Sequence, residues 1–156
     1  PREGALKSIL TLMAVAAVSA GLMSSPASAG ELVKYKVVDG AIMQPLTSKP
    51  GDPIRGRETV IHRKQGNCIA CHTAANLKDQ QFHGEIGPSL DGVSERWNEG
   101  QLRLILVNSK KVFEGSIMPA FYKNAGYTRV NKKFKGKTIL TPQQIEDVVA
   151  YLKTLN

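Results

Sequence analysis

The chain has 156 residues, with 21 Lys or Arg against 13 Asp or Glu, for a formal net charge of +8 at pH 7. Hydrophobic residues at 42% and charged residues at 22% describe a globular chain and exclude a disordered or collagen-like one. Two cysteines are too few for a disulfide scaffold or a four-thiolate zinc site, and only one apolar segment approaches bilayer length, which excludes a multi-span membrane protein.

That segment opens the chain. Arg2 and Lys7 precede an apolar run from Ile9 to Met23, and Ser24-Ser25-Pro26-Ala27-Ser28-Ala29 ends in a small-x-small pattern. A positive start, a short apolar stretch and small residues before a cut describe a secretory signal. The run also falls short of the ~20 residues a spanning helix needs. Residues 1–29 are therefore expected to be a cleaved signal peptide, with export to the bacterial periplasm and no membrane span after cleavage.

Residues 30–55 alternate only weakly and then carry Pro45, Pro50, Gly51 and Pro53, which predicts an irregular extension lying on the surface of a domain over 56–156. The pattern then predicts a helix over 56–72, with Val60 and Ile61 on one side and Cys68-Ile69-Ala70-Cys71-His72 closing it. Gly84, Gly87, Pro88 and Gly92 make 73–95 a long loop with at most one short helical turn. Leu102, Ile105, Leu106 and Val107 recur at helical spacing over 98–108, and 114–138 is a second long irregular segment rich in Lys and Gly. The last helix has the clearest start: Thr141 as cap, Pro142 at the first helical position and Gln144 completing a capping box. Ile145, Val148, Val149, Leu152 and Leu155 then form one apolar stripe, while Glu146 and Asp147 near the start and Lys153 near the end match the helix dipole. The expectation is an all-α domain of few helices and long loops. Such loops bring little apolar surface, so something else must fill the middle.

Cys68-Ile69-Ala70-Cys71-His72 supplies it. C-x-x-C-H is the attachment sequence for c-type haem: one helical turn between the sulfurs lets both reach the vinyl positions on one edge of the macrocycle, and the next residue places an imidazole at the iron. A thioredoxin-like pair would need a βαβ surround, which is absent, and a zinc site would need more ligands than the chain offers. One covalently bound haem c is expected on Cys68 and Cys71, with His72 as proximal ligand. Met43, His62, His83 and Met118 are the candidates for the second axial position. Met118 is favoured, because Pro119 holds it extended and a loop of its length can circle to the opposite side. The two histidines are expected to be solvated surface residues and Met43 a packing residue.

Gly87-Pro88 has two readings that spacing does not separate: an ordinary turn, or a Pro88 carbonyl accepting the other N–H of the ligating imidazole. Arg96 and Trp97 likewise read either as donors to haem propionates or as a salt bridge and a buried aromatic. Two protein ligands leave iron no open position, so such a centre gains and loses an electron. There is no nucleophile–His–acid set and no phosphate-cradling Gly loop, so no catalytic residue is assigned to this chain.

These residues resemble the class I cytochrome c family: C-x-x-C-H early, Gly-Pro after it, Met-Pro late and an amphipathic C-terminal helix. More narrowly they resemble the SoxX family. The likeness lies in residues 66–72 and 84–93, in Gly100-Gln101-Leu102-Arg103, in Ile117-Met118-Pro119-Ala120-Phe121-Tyr122 and in residues 140–152. The resemblance implies a class I cytochrome fold and a heterodimer with a SoxA-like monohaem or dihaem cytochrome. That complex joins thiosulfate to a cysteine of a SoxYZ-like carrier, an L-cysteine S-thiosulfotransferase activity belonging to the heterodimer. This chain would be the electron-transfer subunit, passing electrons through a His72/Met118 haem to a soluble cytochrome. A freestanding periplasmic carrier is the alternative, and a sensor or enzyme in which Met118 dissociates is a third. Lys132, Lys133, Lys135 and Lys137 form a basic run that reads as a steering rim or as a solvated loop. Without aromatic interleaving or a reading helix, no nucleic-acid partner is expected.

Overall fold

The computed structural model describes residues 32–156, so the signal-peptide expectation falls outside the described residues. The described helices are α1 (Pro53–Ile61), α2 (Val93–Arg96), α3 (Glu99–Asn108) and α4 (Pro142–Leu152), joined by long loops that hold short 3-10 turns. Among the described residues the only β pairing is an isolated bridge between Val38 and Ala41. The all-α expectation holds, as do the predicted α3 and the Thr141/Gln144 capping box of α4. The first long loop carries one turn more than expected, a 3-10 turn over Ala75–Leu77 besides α2.

The first helix differs from its expected span. It starts at Pro53, because the Asp52 carboxylate accepts from the Ile54 and Arg55 N–H groups and Pro53 fits the first helical position. It stops at Ile61, where His62 turns extended. A turn follows in which the Gln65 and Asn67 N–H groups both bond to the His62 carbonyl. Asn67 takes the left-handed conformation at φ 47°, which Asn tolerates better than most residues. Only then does Cys68–Ala70 form a separate 3-10 turn. The Cys-x-x-Cys-His segment is thus a second element folded back against α1. The Gly66 N–H ties it down by bonding to the Thr59 carbonyl at 3.2 Å.

Helices α1 and α4 pack backbone to backbone. A Cβ added to Gly56 would sit 2.0 Å from the Asp147 carbonyl oxygen, and one added to Gly51 would sit 2.1 Å from that of Glu146. Only glycine permits this approach. The predicted stripe of α4 is buried throughout, and Leu102, Leu104, Leu106 and Val107 of α3 join it in the core.

The extension is not a surface appendage. Ala41, Ile42 and Leu46 are buried in the same core, and its backbone is pinned by Ile42 N–H to the Gly100 carbonyl at 2.9 Å. Its anchor is a residue that looks like surface: Arg103, 1% exposed, forms a two-pronged pair with Glu146, 4% exposed, at 2.8 Å for each prong. Arg103 also donates to the Ile42 carbonyl at 2.7 Å and to Glu99 at 2.9 Å, while Glu146 accepts from the Leu46 N–H at 2.8 Å. Glu146 and Asp147 therefore do not serve the dipole of the first turn. Both are buried, Asp147 accepting from Arg55, Gln143 and the Asp52 N–H. Met43 is not a packing residue of the core either; it is 63% exposed.

Candidate functional site

The Cys68–Ala70 turn and the loop after it lie against each other through backbone bonds. Gly84, Gly87 and Leu90 donate to the carbonyls of Ile69, Cys71 and Thr73 at 2.8, 2.7 and 2.8 Å. This lacing lets the second strand of the loop follow the first, and two glycines make the approach possible. A Cβ on Gly84 would lie 2.1 Å from the Ala70 carbonyl oxygen, and one on Gly87 would lie 2.4 Å from Cε1 of His72. The imidazole rests flush on the Gly87 backbone.

From there Nδ1 of His72 reaches the Pro88 carbonyl at 2.6 Å. A carbonyl can only accept, so Nδ1 carries the hydrogen and Nε2 is left as the lone-pair nitrogen. That selects the second of the two readings of Gly87-Pro88: the contact fixes the ring and its tautomer in the form a metal ligand requires. The Pro88 carbonyl is itself held in place, because Arg96 donates to the carbonyls on either side of Leu90, Ser89 at 2.7 Å and Asp91 at 2.6 Å. Arg96 thus braces the loop. Trp97 is half-buried, edge-on to Phe113 at 5.6 Å between ring centroids.

Cys68 and Cys71 are both free thiols, one 3-10 turn apart. Burial pushes the Cys68 thiol up to about 12. Two unbridged cysteines one turn apart, an imidazole with its tautomer set and a glycine cradle around that ring fit a covalently attached haem.

His83 is not a solvated surface residue. Its Nδ1 accepts from the Ala74 N–H at 3.3 Å and its Nε2 donates to the Leu77 carbonyl at 3.1 Å, clamping the 74–77 turn. His62 is exposed at the end of α1, where its Nδ1 accepts from the Lys64 N–H. Both nitrogens of the His83 ring are thus engaged by loop backbone.

Met118 lies on the second long loop and is half-buried, packed against the edge of the core. The loop is docked on the end of α3: Phe121 and Tyr122 donate to the Leu106 and Val107 carbonyls at 3.1 and 3.3 Å, two of the acceptors a helix terminus leaves unpaired. Phe121 and Tyr122 are themselves buried. The basic run over 132–137 surrounds an exposed 3-10 turn, with the Lys133 ammonium over the Phe134 ring at 4.6 Å. None of the described helices is long and apolar enough to cross a membrane.

Residues 60–156 match the cytochrome c family model. The chain is 32% identical over 136 residues to a cytochrome c-553-like protein of Synechocystis sp., a match that covers 87% of this chain and 99% of that one. It is also similar to a chain in the crystal structure of SoxXA from P. pantotrophus. There the identity is 47% and the TM-score 0.72, over 78% of this chain and 93% of the other.

Proposed function

The chain belongs to the cytochrome c family, as a SoxX-like class I member with one covalently bound haem c, and from that premise we propose that it is the periplasmic electron-transfer subunit of a sulfur-oxidising complex. Cys68 and Cys71 would hold the haem through thioether bonds, and His72 Nε2 and the Met118 thioether would take the two axial positions. Bound in that way, the haem supplies a one-electron iron couple whose ferrous state the thioether favours. The chain's own residues do the rest. Gly87 admits the ring, the Pro88 carbonyl holds the Nδ1 hydrogen, Arg96 keeps that carbonyl in place, and the docking of residues 121–122 on α3 sets where Met118 stands. With His72 and Met118 both holding the metal, no position would be left on it for a substrate.

The observation that carries this reading is the 2.6 Å contact of His72 Nδ1 with the Pro88 carbonyl over the Gly87 backbone, which leaves Nε2 available and would orient the ring as a ligand. The likeness to a chain of the SoxXA structure supports a SoxA-like partner. In such a complex, thiosulfate and a carrier cysteine thiol join through a new S–S bond and release one proton and two electrons. This one-electron subunit would relay those electrons in two turns to a soluble cytochrome. The test is purification from the source cell without tags. A stable complex with a larger cytochrome, reduced when thiosulfate and carrier are added together, is expected. A lone monomer unaffected by that addition would favour a freestanding carrier instead.

A further inference from the structure

Both polar groups of the Met118 backbone are held by side chains, and neither by secondary structure. The Met118 N–H donates to Ser116 Oγ at 3.2 Å. Its carbonyl accepts from Ser109 Oγ at 2.9 Å and from the Lys110 ammonium. Pro119 follows, which restricts Met118 itself to extended backbone. Ser109 is the unusual member. It is fully buried, 0% exposed, in the 3-10 turn that continues α3, and a buried hydroxyl is kept only where it has a partner. Its partner is the carbonyl of one loop residue nine positions later. Lys110, by contrast, is exposed, where water competes for its ammonium.

We infer that Ser109 is a positioning residue for the Met118 thioether, with Ser116 as its counterpart on the N–H side. The inference rests on the reading of Met118 as axial ligand and deepens it. The end of α3 grips the loop at three points in succession: the Leu106 and Val107 carbonyls take the Phe121 and Tyr122 N–H groups, and the Ser109 hydroxyl reaches Met118. The first two points fix the loop downstream of Pro119. Without the third, the Met118 carbonyl would keep only the exposed Lys110 as a partner. The sulfur stands three bonds from the Cα, so a small rotation there carries the thioether off any fixed position.

The experiment uses the haem-loaded full-length protein and its Ser109→Ala, Ser116→Ala and Met118→Ala variants. Three quantities are read: the sulfur-to-iron charge-transfer band of the oxidised form, carbon monoxide uptake by the reduced form, and the reduction potential. Met118→Ala should lose the band and take up carbon monoxide freely. Ser109→Ala should keep its far-ultraviolet helix signal, weaken the band and raise the carbon monoxide-accessible fraction about tenfold, the equivalent of about 1.4 kcal/mol. Added to Met118→Ala, it should change none of the three. Ser116→Ala, at a half-buried loop position, should act in the same direction and carries the test if Ser109→Ala does not fold. If Met118→Ala loses the band while the serine variants keep band, uptake and potential at parent values, the inference about Ser109 is overturned and the ligand assignment stands. If Met118→Ala itself keeps the band, the ligand assignment falls and the inference with it.

Discussion

Replacing Gly87 with alanine strains the site where it is tightest. The new methyl would lie 2.4 Å from Cε1 and 2.6 Å from Nδ1 of His72, whereas carbon atoms rest at about 3.5–4.0 Å. About 1 Å of movement is therefore needed. The loop resists it, because the Gly84, Gly87 and Leu90 N–H groups are bonded to the facing segment at 2.7–2.8 Å. The ring resists it too, since retreating costs the Pro88 hydrogen bond. Overpacking of this kind costs about 1–3 kcal/mol, and a lost neutral hydrogen bond about 1 kcal/mol, so about 2–4 kcal/mol in all. For a domain of this size roughly 4 °C is lost per kcal/mol, which predicts a fall of about 8–16 °C in the melting temperature of the haem-loaded protein. Calorimetry measures this directly, and the haem absorption spectrum recorded alongside should show the proximal ligand disturbed. A variant that melts within about 2 °C of the parent with an unaltered spectrum would refute the reasoning, because it would mean the loop swings away from His72 at no cost.

Removing the guanidinium in Arg103→Met strands the Glu146 carboxylate in the core with only the Leu46 N–H and should cost about 3–5 kcal/mol in denaturant unfolding; Arg103→Lys should recover little, lacking the fork. Asp147 gives a pH test. Burial acts to raise its pKa, but hydrogen bonds from Arg55, Gln143 and the Asp52 N–H outweigh that, and the pKa is lowered. A carboxylate lower in the folded than the unfolded state stabilises fully above its unfolded value of about 3.9, and that gain is lost as pH falls through the folded value. Asp147→Asn should thus be less stable than the parent by about 1–3 kcal/mol at neutral pH, with the gap closing below about pH 4; a gap independent of pH contradicts the assignment. Finally, the double variant Cys68→Ser/Cys71→Ser should lose covalent haem, so that haem staining disappears from its band on a denaturing gel. Full retention would remove the thioether reading.

What the sequence made legible was local. Thr141, Pro142 and Gln144 announce the start of α4 because a helix terminus is satisfied by its own neighbours, and the Cys68-to-His72 motif is chemistry written in five consecutive residues. Asp52-Pro53 carries the same kind of start signal for α1. At its other end the helix expected to run to 72 is broken by the turn at 62–67 and the left-handed Asn67. The buried pair of Arg103 and Glu146 was not legible. On its own helix each reads as a solvated charge, Arg103 even forming an ordinary i,i+4 pair with Glu99, and their meeting depends on how α3 crosses α4. For the same reason the extension could not be placed in the core, since Ile42 and Leu46 lie in irregular backbone with no period to betray a buried face. His83 reads as a solvated residue because its partners, Ala74 and Leu77, lie across a loop closure that no pattern encodes.

These two levels divide the work between the frame and the site. The frame is closed by contacts that involve no cofactor residue: Gly56 and Gly51 against α4, Asp147 with Arg55, and Arg103 with Glu146. The proposed axial residues are set by bonds between side chains and loop backbone: His72 to the Pro88 carbonyl, Arg96 to the Ser89 and Asp91 carbonyls that follow it, and Ser109 and Lys110 to the Met118 carbonyl. These bonds are separate from the packing that closes the α1–α4 frame. The polarity and stiffness around the two ligands can therefore change by single substitutions at 88, 96, 109 or 116 while the α1–α4 frame stays folded. Arg96→Ala should accordingly disturb the electronic spectrum of the haem more than it lowers the melting temperature, and Arg103→Met should do the reverse.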